Sequence, residues 1–65
     1  MPTRLRIARE RAGLTQVEVA KKANIPAGCY QRYEAGSRIP KADTAVVLAK
    51  ILRTSVEDLY KKEDE

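Results

Sequence analysis

The segment LTQVEVAKKANIPAGCYQRYEAG, residues 14–36, contains two short helical patterns separated by a very tight joint. Thr15 is followed three residues later by Glu18, a capping box in which hydroxyl and carboxylate satisfy free amides of a first helical turn. Asn24 suits the end of that helix, because after glycine it best tolerates a left-handed backbone. Pro26 and Gly36 bound the next helix, so the segment predicts two helices whose axes turn sharply.

The rest of the chain predicts three more helices and no strand. Helical spacing of apolar residues runs through TRLRIARERAG, residues 3–13, and through KADTAVVLAKIL, residues 41–52. Gly13 is expected to end the first of these helices in the left-handed conformation. A last short helix, VEDLY, residues 56–60, begins after Ser55, which forms a second predicted capping box with Asp58. The sequence therefore predicts an all-α fold of five helices, in which helices two and three form a helix-turn-helix.

Composition limits both size and chemistry. A chain of 65 residues holds one domain, here residues 1–65 with a tail frayed from about residue 61. One cysteine and no histidine exclude a disulfide framework, a zinc site with the usual ligands and a Cys-His or Ser-His catalytic pair. We therefore expect no enzyme activity, no metal, no cofactor and no small-molecule substrate. The native-looking Met1 and the charged tail favour a complete small protein.

Charge and hydropathy indicate the partner and the compartment. The chain carries a net charge of +4, and its acids are crowded toward the C-terminus, so the first 53 residues are more basic than the average implies. No apolar run is long enough to span a bilayer, and the N-terminus lacks the apolar core of a signal peptide. We expect a cytoplasmic protein, without a membrane partner, that binds an anionic partner such as double-stranded DNA.

Residues 13–60 resemble the Xre-like helix-turn-helix family, which contains the DNA-binding domains of phage lambda-type repressors and Cro. The similarity rests on GLTQ, on Ala20 where two helices cross, on YEAG at the end of the third helix, on Pro40 before the fourth and on SVEDLY, all in order and at the family's spacing. The resemblance implies a compact five-helix domain that lays its third helix, about residues 27–34, in the DNA major groove.

The same resemblance implies which residues contact DNA. Five outward positions of the third helix correspond to base-reading positions: Ala27, Gly28, Cys29, Gln31 and Arg32. Only the last two have useful hydrogen-bonding reach, and Arg32 is the better candidate for a bidentate contact with guanine. Phosphate contacts are expected from the start of the second helix and from the loop after the third, at Thr15, Gln16, Ser37, Arg38 and Lys41.

Other positions resemble structural parts of the family's fold. Arg9 and Glu34 match an ion pair between the first and third helices in some members, and we expect it to be structural rather than part of the DNA contact. Tyr30 and Tyr33 occupy core positions, where each buried hydroxyl needs a hydrogen-bond partner.

The predicted function is a sequence-specific DNA-binding transcriptional regulator, a dimeric repressor on a palindromic operator. The expected homodimer surface includes Val47, Ile51 and Tyr60. Two alternatives remain open. A DNA-binding antitoxin would have another biological partner, and an adaptor of the bridging-factor type would bind proteins instead. The adaptor is favoured by apolar residues where the family often carries polar ones: Ile7, Val17, Ile39, Val47 and Ile51.

Overall fold

The computed structural model describes residues 3–60, and within them the chain forms five α-helices and no strand. They are α1 (Arg4–Ala12), α2 (Gln16–Ala23), α3 (Ala27–Ala35), α4 (Ala42–Ile51) and α5 (Val56–Leu59). The predicted all-α fold with five helices is confirmed. The predicted fraying from about residue 61 concerns residues outside the described range. No helix between residues 3 and 60 combines the length and hydropathy needed to cross a bilayer.

Helices α1, α2 and α5 each begin after a residue whose side chain caps the first turn: Thr3, Thr15 and Ser55. The amide of Thr15 donates to Glu18 Oε1 at 2.9 Å, and the amide of Glu18 donates to Thr15 Oγ1 at 3.1 Å, so the first predicted capping box is confirmed. Of the two bonds of the second predicted capping box, one is present: the amide of Asp58 donates to Ser55 Oγ at 3.0 Å. These bonds are local, and they favour the start of α2 and of α5 at these residues.

A left-handed residue lies within two residues of the C-terminal end of each of the first four helices. Gly13, Asn24 and Gly36 have φ angles of 73°, 59° and 81°, as the sequence predicts for α1, α2 and α3. After α4 the left-handed residue is Arg53, with φ of 57°, where glycine or asparagine is more usual. The turn is closed by the amide of Thr54, which donates to the carbonyl of Ala49 at 2.8 Å.

The core is small and takes buried side chains from all five helices. Its largest fully buried side chains are Tyr30, Leu5, Leu48 and Val19. Ala20 is buried at the joint of α2 and α3, and its carbonyl accepts a hydrogen bond from the amide of Ile25 at 3.0 Å. A methyl group at this position lets the two helices approach closely and sets the direction in which α3 leaves the core.

A buried ion pair joins α1 to α3. Glu34 is 5% exposed, and its carboxylate accepts from Arg9 Nε at 2.7 Å and from Arg9 Nη2 at 3.1 Å. Arg9 Nη1 also donates to the carbonyl of Leu14 at 2.8 Å, and Thr3 Oγ1 donates to the carbonyl of Glu34 at 2.6 Å. Together these bonds connect α1, the turn before α2 and the end of α3.

The same contacts decide the charge of the glutamate. Burial alone would raise the pKa of Glu34, but hydrogen bonds from Arg9 and Gln16, together with the nearby Tyr30 hydroxyl, outweigh it and lower that pKa. Burial, together with the nearby Glu34, raises the pKa of Tyr30, so its hydroxyl stays neutral. That hydroxyl is buried as predicted, yet among residues 3–60 it has no hydrogen-bond partner of ordinary length and angle.

Replacing Glu34 with glutamine tests the ion pair through its pH dependence. We expect Glu34→Gln to lower the free energy of unfolding at pH 7 by roughly 1.5–3 kcal/mol, the usual range for hydrogen bonds to a charged group. Because the folded-state pKa of Glu34 lies below its ordinary value of 4.5, the stabilisation is complete above that value and is lost as the pH falls through the folded-state pKa.

The measurement is urea unfolding followed by circular dichroism at several pH values between 7 and 3. Hydrogen bonds with Thr15 also lower the pKa of Glu18. Because Glu18 is present in both proteins, its contribution to the pH dependence of stability cancels in the comparison. A difference in stability that does not change with pH would contradict a charged pair.

Candidate nucleic-acid interface

Helix α3 has one face in the core and one in solvent. Tyr30 and Glu34 are buried, whereas Gly28, Gln31 and Arg32 are exposed. Because residues three and four apart share a face of a helix, the inward residues fix the rotation of α3 about its axis. Three of the five predicted base-reading residues therefore lie on the solvent side, with Gln31 and Arg32 providing its polar side chains.

Ala27 and Cys29 have less access to solvent than the other three. Ala27 packs against the hydrophobic core, and Cys29 is half-buried. The Cys29 thiol interacts with the hydroxyl of Tyr33 one turn later and raises the pKa of that tyrosine. The first turn of α3 thus has short side chains that partly face the protein, and it has little polar chemistry of its own.

Gly28 leaves bare backbone on the outward face of α3. A Cβ atom built at this position would meet no other atom within 4 Å, and the backbone there is not left-handed. Glycine costs a helix roughly 0.5–1 kcal/mol relative to alanine. Neither packing nor backbone geometry in the folded protein requires that loss, so the fold does not explain this glycine.

The start of α2 presents Thr15 and Gln16. Thr15 is exposed, and Gln16 is half-buried as the first residue of the helix. The amide of Gln16 donates from Nε2 to Glu34 Oε1 at 2.9 Å. The sequence predicts Gln16 as a phosphate contact and Glu34 as part of an ion pair. It does not predict the bond between them, because no local pattern connects residues 18 positions apart. The bond ties a predicted phosphate contact to the structural ion pair.

The loop between α3 and α4 is exposed and carries cations. Ser37, Arg38 and Lys41 are exposed, and neither of the two cations forms an ion pair with another residue between 3 and 60. Lys41 is the N-cap residue of α4 and makes no side-chain capping bond. A cation is disfavoured at the positive end of a helix dipole. The position of Lys41 therefore does not serve the stability of α4.

Three other cations have a structural explanation. Arg11 and Lys22 lie in the last turns of α1 and α2, and Arg53 follows α4. Together with Leu14, Ile51 and other residues they line an open groove of about 630 Å³ that includes no residue of α3. Cations at helix C-termini offset the negative ends of the helix dipoles. Part of the positive charge of the chain is thus accounted for without a ligand.

The candidate dimer residues do not form one evident patch. Val47 is 41% exposed on α4, whereas Ile51, one turn later, is half-buried against the core. Tyr60 is 38% exposed and lies close enough to Tyr30 and Tyr33 to interact with them electrostatically. Val46, next to Val47, is also exposed, so the surface of α4 has one apolar residue that the sequence analysis did not include.

Comparison with known proteins gives a single family. A helix-turn-helix family model matches residues 5–59. The chain is also 38% identical over 61 residues to the HTH-type transcriptional regulator ImmR of Bacillus subtilis (strain 168). The match covers 94% of this chain and 48% of that protein, so the chain spans about half the length of this relative. No solved structure matches the chain.

The family match covers α2, the tight turn and α3, the elements that the geometry singles out as the candidate interface. Its members are DNA-binding regulators rather than enzymes. The chain belongs to the helix-turn-helix family of DNA-binding transcription regulators.

Proposed function

We propose that this domain is a sequence-specific reader of double-stranded DNA that acts as a dimeric repressor on a palindromic operator. The observation that carries the proposal is the outward face of α3, where bare backbone at Gly28 is followed by the exposed polar side chains of Gln31 and Arg32. A helix-turn-helix protein inserts this helix into the major groove. Such a regulator acts in the cytoplasm of a bacterial cell, where the DNA lies.

Residues in the second half of α3 make the base contacts in this proposal. Arg32 can donate two parallel hydrogen bonds to O6 and N7 of guanine, and Gln31 can pair with adenine. Ala27 can contact a thymine methyl group, whereas Cys29 is half-buried beside Tyr33 and contributes less. A reader with so few base contacts gains affinity by pairing two domains about one helical turn apart on the DNA.

Phosphate contacts hold α3 in the groove from two sides. Thr15 and Gln16 lie at the positive end of the α2 dipole, where backbone amides favour an anion. Ser37, Arg38 and Lys41 lie in the loop after α3. Within residues 3–60 neither Arg38 nor Lys41 is neutralised by an acid, so both charges are available for phosphate.

The pairing surface is proposed to include Val47 and its neighbour Val46 on α4. Both valines are exposed, and burying them in a homodimer would remove apolar surface from water. Ile51 offers less surface because it already packs against the core, and Tyr60 would extend the contact only if the partner also reached α5.

A protein-binding adaptor is the second candidate, and two exposed side chains favour it. Ile39 is 78% exposed in the loop after α3, and Val17 is 61% exposed on α2. Val17 borders an open, largely apolar groove that runs past Ile25 and Pro26 at the tight turn. A partner protein could cover this surface whether or not the domain also binds DNA. A DNA-binding antitoxin, which has both DNA and a protein as partners, would also use such a surface.

The proposal is tested by selecting binding sites from a pool of random DNA duplexes at near-physiological salt. Enrichment of a palindrome with half-sites about one helical turn apart is expected for a dimeric reader. Salt-sensitive binding to every duplex without enrichment would reject sequence reading and favour the adaptor.

Arg32→Ala is expected to relax specificity at one base pair of each half-site, at a cost of roughly 1–3 kcal/mol of discrimination. Arg32→Lys is the matched control: it keeps the charge but loses the planar fork, so it should retain affinity for phosphate and lose most of the discrimination. Repeating the selection with each variant gives the result. An unchanged base preference in both variants would show that Arg32 does not read a base.

Lys41→Ala is expected to weaken binding to all duplexes equally and to reduce the slope of log K against log salt by about one unit. Lys50→Ala is the control, because Lys50 is an exposed cation in the last turn of α4, where it offsets the helix dipole. Titrations at four salt concentrations measure both slopes. Equal effects of the two changes would mean that only net charge matters.

Gly28→Ala is expected to raise the free energy of unfolding by roughly 0.5–1 kcal/mol, because alanine favours the helix and the added methyl group meets no other atom. DNA affinity should fall, since the methyl group would separate the α3 backbone from the base edges. Thermal unfolding and binding to the selected duplex test the two effects. A more stable variant with unchanged affinity would show that DNA does not approach this glycine.

A further inference from the structure

The carboxylate of Glu34 accepts hydrogen bonds from two residues that have different roles. Its Oε2 atom accepts from Arg9 Nε at 2.7 Å, and its Oε1 atom accepts from Arg9 Nη2 at 3.1 Å and from Gln16 Nε2 at 2.9 Å. Arg9 belongs to the scaffold, whereas Gln16 is the first residue of α2 and lies partly in solvent. Glu34, which is only 5% exposed, is thus hydrogen-bonded to a residue that lies partly at the surface.

The chemistry of this bond fixes the orientation of the Gln16 amide. An ionised carboxylate only accepts hydrogen bonds, so the nitrogen of the glutamine, and not its oxygen, must face Glu34. Arg9 keeps Glu34 ionised in spite of its burial, because two N–H groups of the guanidinium donate to it. The oxygen and the second N–H of the Gln16 amide are then directed away from Glu34.

An anchored glutamine binds DNA at a lower entropic cost than a free one. Ordering a glutamine side chain costs up to roughly 1.5–2 kcal/mol of rotamer entropy. In this fold the bond to Glu34 orders the side chain before DNA arrives, so less entropy is lost on binding. The bond also couples the start of α2 to α3, the helix that carries the base-reading residues.

We propose that Glu34 is a positioning residue for DNA binding, which holds the Gln16 amide so that its second N–H donates to a phosphate oxygen. The inference rests on the proposed DNA-binding function and adds to it a role for a buried acid. Glu34 itself does not touch DNA. It acts through Gln16, in addition to its ion pair with Arg9.

Two variants separate positioning from stability. Glu34→Gln has one acceptor oxygen in place of two, for which Arg9 and Gln16 must compete, so the Gln16 amide loses its fixed partner. Arg9→Lys also breaks the bidentate pair and the bond to the carbonyl of Leu14, but it leaves the carboxylate and its bond to Gln16 in place. Both variants are expected to be less stable than the natural protein, and only the first should free Gln16.

The first readout is the mobility of the side-chain amides in the free protein, measured by ¹⁵N relaxation. The only other glutamine of the chain, Gln31, is exposed and serves as an internal reference. In the natural protein and in Arg9→Lys, the order parameter of the Gln16 amide should approach that of rigid backbone, about 0.85. In Glu34→Gln it should fall below about 0.6, near the value of Gln31.

The second readout is a double-mutant cycle for binding to the selected duplex, at a temperature where thermal unfolding shows every variant to be folded. Gln16→Ala and Glu34→Gln should each weaken binding roughly 3- to 10-fold, as expected for one hydrogen bond. The double variant should bind no more weakly than Gln16→Ala alone, and Arg9→Lys should stay within about twofold of the natural protein. Removing a negative charge would by itself strengthen DNA binding, so long-range electrostatics cannot cause the loss in Glu34→Gln.

The two readouts distinguish the possible failures. A Gln16 amide as mobile as that of Gln31 in the natural protein would overturn the positioning role even if DNA binding were intact. Additive losses in the cycle, or an equal loss in Arg9→Lys, would overturn it in favour of a purely structural role for Glu34. A rigid Gln16 in a protein that binds no duplex would reject the proposed function, and with it the role of this bond in DNA binding.

Discussion

The ion pair between Arg9 and Glu34 is the interaction on which the arrangement of the first three helices depends. A carboxylate buried in so small a protein is tolerated only when it is paired and hydrogen-bonded. Both its oxygens accept from Arg9, whose Nη1 group donates to the carbonyl of Leu14 in the turn before α2. Because a guanidinium donates in one plane and at fixed angles, the pair specifies the relative orientation of α1 and α3 as well as their distance.

That constraint divides α3 into a face packed on the core and a face exposed to solvent. Tyr30 and Glu34 bind the helix to the core, which leaves Gly28, Gln31 and Arg32 in solvent. The small side chain of Ala20 allows α2 to lie close to α3, so the start of α2 comes within reach of Glu34. The packing of one face of α3 against the core therefore orients the opposite face, which is the surface proposed to bind DNA. Substitutions in the core are expected to shift that surface.

The positive charge of the chain serves two purposes that the net charge does not separate. Arg11, Lys22 and Arg53 lie at the C-terminal ends of helices, where they offset helix dipoles. Lys41 lies at the opposite kind of site, the N-terminal end of α4, where a cation does not help the helix. The total of +4 does not show this difference between Lys41 and the three cations at the C-terminal ends of helices.

Local signals in the sequence predict the five helices and the C-terminal ends of the first three, because capping boxes, left-handed glycine and asparagine residues and apolar spacing act within a few residues of each other. The box of Thr15 and Glu18 and the left-handed turns at Gly13, Asn24 and Gly36 were all predicted from local signals. Tertiary structure alone decided the bond from Gln16 to Glu34 and the half-burial of Cys29 and Ile51, as well as the free space around Gly28. These features depend on how the helices are rotated and spaced against one another, which packing sets and which no short stretch of sequence encodes.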